Sequence, residues 1–132
     1  MKHALLSSVI LLATSVAAVA ADPLTGADFD AYATGKTLTF AEQGQPYGAE
    51  QYLPGNRVKW AFDQDTCMEG IWYEKDQSIC FVYEDGGVPQ CWQFFADRDK
   101  LRAVFQGDSG TELYEAWTSD APLSCMGTYV GV

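Results

Sequence analysis

From residue 36 onward the chain is a succession of short runs in which apolar and polar side chains alternate, each closed by a cluster containing Gly, Pro, Asn or Asp. The runs are Lys36 to Glu42, Tyr47 to Leu53, Arg57 to Phe62, Met68 to Glu74, Ser78 to Glu84, Gln90 to Ala96, Lys100 to Gln106 and Thr111 to Thr118. Alternation with a period of two is what a strand with one buried face requires. The apolar set is Val58, Trp60 and Phe62 in the third run, Ile79, Phe81 and Tyr83 in the fifth, and includes Trp92 and Phe94 in the sixth. The turns are Gly44-Gln-Pro46, Pro54-Gly-Asn56, Asp63-Gln-Asp65, Lys75-Asp-Gln77, Asp85-Gly-Gly87, Asp97-Arg-Asp99 and Gly107-Asp-Ser-Gly110. Their residue types reach turn dihedrals at little cost. The pattern predicts an all-β antiparallel meander of about eight strands. That many strands hide their edges by closing into a small barrel or by curling strongly. Ahead of the first run, Thr25 with Asp28 three residues on starts a helix, and Gly35 stops it after two turns.

Two turns fix register. A turn at Asp76-Gln77 sets Trp72 opposite Phe81, and a two-residue turn at Asp85-Gly86 sets Ile79 opposite Trp92 and Cys80 opposite Cys91. One face then carries Trp60, Trp72, Phe81, Trp92, Phe94 and Phe105. Those side chains fill most of a small barrel, which favours a packed core over a ligand cavity. With Cys80 and Cys91 bridged, Cys67 is left for Cys125. The spacings contain no Cys-x-x-Cys pair, so neither a zinc knuckle nor a thioredoxin-like site is suggested.

Paired cysteines belong to an oxidising compartment, and the amino terminus agrees. Met-Lys-His precedes an apolar stretch from Ala4 to Ala17 and an Ala18-Val-Ala20 site. Residues 1–20 are expected to be a signal peptide and residues 21–132 a single β-rich domain, periplasmic or secreted, monomeric, with no transmembrane segment after cleavage. Loss of Lys2 leaves seven basic against 18 acidic residues, a net charge of −11. Such a surface repels phosphate backbones, which excludes nucleic acid as a partner. The acidity serves either solubility or the meeting of a basic partner.

The one histidine, His3, leaves with the signal peptide, which removes Ser-His-Asp and Cys-His catalysis and most zinc and haem sites. Asp63, Asp65, Asp76, Asp85, Asp97, Asp99 and Asp108 are turn residues. Asp63-Gln-Asp65 and Asp97-Arg-Asp99 offer oxygens to calcium but lack the remaining ligands of a calcium loop. No catalytic residue, metal ligand or cofactor is therefore expected. Aromatic side chains off the core face are the better functional lead, since exposed rings bind proteins, peptides or sugars with little ordering cost. Tyr73 and Phe95 alternate with that face, and Tyr47, Tyr52 and Tyr114 are candidates for partial exposure.

The segments Cys67-Met-Glu-Gly-Ile-Trp-Tyr, Ile79-Cys-Phe-Val-Tyr-Glu and Cys91-Trp-Gln-Phe-Phe resemble those of a family of small exported proteobacterial proteins of unknown function, as do Gly35-Lys-Thr-Leu-Thr-Phe40 and Gly110-Thr-Glu-Leu-Tyr114. The resemblance implies export and no particular activity. A looser likeness is to calycin-type barrels, among them small periplasmic inhibitors of secreted metalloproteases; Gly70-Ile-Trp72 matches their Gly-x-Trp motif, although it lies mid-chain. The expected function is non-catalytic binding of a protein, peptide or envelope component. The alternatives are a protease inhibitor that inserts residues 21–25 into a cleft, and a hydrolase with two carboxylates about 5 to 10 Å apart.

Overall fold

The alternation becomes eight antiparallel strands: β1 Thr37–Glu42, β2 Gln45–Leu53, β3 Arg57–Ala61, β4 Met68–Lys75, β5 Ser78–Tyr83, β6 Gln90–Asp97, β7 Lys100–Phe105 and β8 Glu112–Ser119. Each pairs with the next, and β8 returns to β1 with Thr37 facing Ser119, so the sheet is a closed barrel without a free edge. This computed structural model describes residues 12–18, 20–62 and 66–125. Much of the expected signal peptide and the Asp63-Gln-Asp65 turn lie outside the described residues. Among the described residues no helix is long and apolar enough to cross a membrane.

Helix α1, Gly26–Ala33, forms where the sequence signals place it. Thr25 is its N-cap, accepting the Asp28 N–H at 3.1 Å. Gly35, at φ +92°, turns the chain into β1. The helix closes one end of the barrel. Phe29 is fully buried, edge-on to Tyr52 and Trp72 with ring centroids 5.4 and 5.2 Å away, and 4.6 Å from Phe94. Three polar ties seat the plug: Leu24 N–H donates to the Phe94 carbonyl at 2.7 Å, Gly26 N–H donates to the Glu74 carboxylate, and the Tyr32 hydroxyl donates to Glu115. The β2–β3, β4–β5 and β6–β7 turns share this end, and the other four connections surround the opposite, open end.

The cysteine pairing agrees with the register. Cys80 faces Cys91 and is bonded to it, and Cys67 is bonded to Cys125, which pins the segment after β8 beside the start of β4. Trp72 faces Phe81 across an Asp76-Gln77 turn whose residues both have positive φ, the geometry that matches strand twist in a two-residue hairpin.

Three local expectations are corrected. The β5–β6 connection is not a two-residue turn but runs over residues 84–89. Pro89 has no N–H to give the ladder, and Glu84 N–H turns instead to the Glu69 carbonyl of β4 at 2.9 Å. The first hairpin turns at Gln43-Gly44, both at positive φ, and Pro46 lies in β2. It sits beside a β-bulge between Phe40 and Ala41, where an interrupted ladder tolerates the missing donor. Phe62 falls one residue beyond β3 and is 63% exposed, so it stands at the rim of the open end rather than in the core.

Candidate functional site

Inward positions along β2 are Gly48, Glu50 and Tyr52, all buried. Glu50 and Tyr52 line a cavity that opens at the unplugged end, together with Trp60 of β3, Phe81 and Tyr83 of β5 and Trp92 of β6. Gly48 is needed here. A Cβ at that position would run into the six-membered ring of Trp60 and come within 2.8 Å of the Ala61 carbonyl oxygen, so its absence lets the indole lie over the β2 backbone. Trp60 then meets Tyr47 and Phe62, with centroids 5.8 and 5.2 Å away, and these rings form one lip of the mouth. The cavity holds about 50 Å³. That is room for a few waters or the end of one side chain, well below the roughly 300 to 1,000 Å³ of sites for drug-sized ligands. The aromatic face is thus packed towards the plug and hollow towards the mouth.

The floor of the cavity is polar. Glu50 is 3% exposed, and its two carboxylate oxygens accept from the Tyr83 hydroxyl at 2.7 Å and the Tyr52 hydroxyl at 3.1 Å. Burial pushes its carboxyl up to about 8, against the smaller lowering effect of the two hydroxyls. Burial and the nearby Glu50 charge hold both tyrosines well above the ordinary phenol value, so they remain donors. The second buried acid, Glu115 of β8, is bound up in the plug. It accepts from Tyr32 at 2.7 Å, from the Leu101 N–H at 2.7 Å and from Thr118 at 2.5 Å, and it does not line the cavity. Among the described residues the cavity therefore offers a single carboxylate.

No protein-family model, curated protein or solved structure matches this chain.

The aromatic residues expected at a binding surface are dispersed. Tyr47 stands in the mouth. Tyr52 is not exposed at all: it has an inward position on β2 and is 1% accessible, under Phe29 of the plug. Phe95 and Tyr114 lie on the outer wall on either side of Arg102, whose guanidinium covers the Phe95 ring at 4.6 Å and ion-pairs with Glu112 at 2.6 Å. Tyr73 is apart from both, on β4 opposite Cys80. Of residues 21–25, Leu24 is hydrogen-bonded to β6 and Thr25 caps α1, whereas Ala21 and Asp22 are exposed. Among the described residues no group of three or more His, Cys, Asp or Glu is arranged to hold a metal ion.

Glu50, at the cavity, and Glu115, in the plug, are buried acids that composition concealed, because seven of the 18 acids of the chain hold turn positions and point to the surface. Their signal was parity. Each is two residues from an apolar or aromatic inward position, Tyr52 in one case and Leu113 in the other. A carboxylate on the buried parity of a strand has to be paid for by hydrogen bonds or by function.

Proposed function

We propose that this protein is a non-catalytic binding module, working outside the cytoplasm, that takes one side-chain-sized group of a protein, peptide or envelope component into the open mouth of the barrel. The observation that carries this reading is the asymmetry of the two ends. One is plugged by Phe29 and sealed with hydrogen bonds, while the other opens onto a small aromatic cavity with Phe62 exposed at its rim. An exposed aromatic ring beside a socket is how a surface offers an anchor site to a larger partner. The two disulfides suit an oxidising compartment.

The test is selection of random peptides against the immobilised domain, followed by affinity measurements on variants. Phe62→Ser at the rim weakens the selected peptides about tenfold or more, as loss of an anchor contact does, whereas Trp117→Ser on the outer wall leaves them unchanged. The reverse pattern would move the binding surface to the outside of the barrel and sink this reading.

A further inference from the structure

An aromatic socket for an apolar group has no use for a carboxylate at its floor, since a buried acid costs desolvation that a methionine or leucine would not. Glu50 is nevertheless buried there with one hydroxyl on each oxygen, which leaves lone pairs unused. Ring faces and a carboxylate attract the same kind of ligand, an organic cation.

The charge distribution along the barrel points the same way. Glu42, Glu84, Asp85 and Asp108 lie at or beside the connections of the open end, and the described residues of those connections include no Lys or Arg. Lys36, Arg57, Lys75, Arg98 and Lys100 all lie at the plugged end, where Asp28, Asp30, Glu74, Asp76, Asp97, Asp99 and Asp120 offset them, so the open end differs in having acids with no basic residue described among them. The remaining two basic residues of the barrel, Lys59 and Arg102, stand on the wall in ion pairs with Glu69 and Glu112. Such a field draws cations to the mouth.

Depth and width narrow the choice. Glu50 is three residues along β2 from Tyr47, roughly 10 Å of strand, so the cation must arrive on a long stem. The narrow cavity suits an unbranched alkylammonium better than the broad planar guanidinium of arginine.

We propose that the mouth is a socket for a lysine side chain of a basic partner, with its ammonium group on Glu50 and its stem between Trp60, Tyr83 and Trp92. This rests on the reading of the mouth as a binding site and names what it takes. A neutral Glu50 ionises as the ammonium arrives, so its proton passes to solvent and binding strengthens as pH rises from about 6 to about 8. The titratable groups around Glu50 are Tyr52 on its own strand, Tyr83 from β5 and Tyr47 nearer the rim, with Glu115 of β8 beyond Tyr52.

The experiment titrates the full domain and its Glu50→Gln variant, by tryptophan emission, with capped Gly-Lys-Gly, Gly-norleucine-Gly and Gly-Phe-Gly peptides and with butylamine. The lysine peptide is expected to bind about tenfold more tightly than the norleucine peptide at pH 8, with the gap narrowing at pH 6. In Glu50→Gln the preference disappears while the norleucine peptide still binds, which reports an intact mouth. Equal binding of norleucine or phenylalanine by the parent would overturn the cation and leave the socket standing. Butylamine binding as well as the lysine peptide would overturn the peptide as its source. Silence from every probe would overturn both readings.

Discussion

Glu50 costs the fold stability as a single residue, and the cost depends on pH. Its carboxyl has an ordinary value of 4.5 and a folded value of about 8. Between those values the folded protein keeps a proton that the unfolded chain has released, so stability falls as pH rises through that window and levels off above it. The fall is on the order of 3 to 5 kcal/mol. Denaturant midpoints measured near pH 5 and pH 8 check this: the parent loses stability across the interval, and Glu50→Gln loses much less. A parent midpoint that does not move would rule the burial effect out. A neighbouring residue permits a second prediction. Gly48→Ala drives a methyl into Trp60 and the fixed Ala61 carbonyl; it is expected to cost about 1 to 3 kcal/mol and to shift the tryptophan emission maximum. Neither residue stood out in the sequence. Turn chemistry accounts for seven of the 18 acids and draws attention from the rest, and Gly48 lies in a run whose neighbouring Pro46 suggests a turn rather than a strand interior.

At the scale of elements the sequence was far more legible. Period-two alternation marked all eight strands to within about two residues at each end, because each has one face on the core and one on solvent. Thr25 and Gly35 marked the helix for an equally local reason, as cap and stop. What α1 is for could not be seen locally. Its eight residues bury Phe29 at the centre of an aromatic cluster built from β2, β4, β5 and β6, a contact that exists only once the barrel has closed. Phe29→Ala is therefore expected to destabilise the whole domain by about 3 to 5 kcal/mol, as for other buried aromatic residues, which calorimetry or chemical denaturation will measure. A loss below about 1 kcal/mol, the range of surface substitutions, would mean that the helix is an appendage rather than a plug. The mouth was illegible for the same reason: a row of six large aromatics in sequence does not disclose that Phe62 slips past the end of β3 and leaves space beneath it.

For the molecule as a whole, two disulfides restrain different lengths of chain. Cys67–Cys125 spans 58 residues and Cys80–Cys91 spans 11, for which chain entropy gives about 4 and about 3 kcal/mol. Cys80→Ala and Cys91→Ala should destabilise alike, with the double variant no worse than either; additive losses in thermal unfolding would argue against the bridge. The pairing was legible because Cys80 and Cys91 have registered positions on adjacent strands, even though the loop between them is longer than a two-residue turn. The seam between β1 and β8 joins residues such as Thr37 and Ser119 that stand at opposite ends of the barrel sequence. Folding in time is governed by such distant pairings. Leu38 and Phe40 gain their last neighbours only when β8 arrives, so a chain threaded out from its amino terminus stays an open, unfinished sheet until nearly all of it has emerged. The barrel has no stable half.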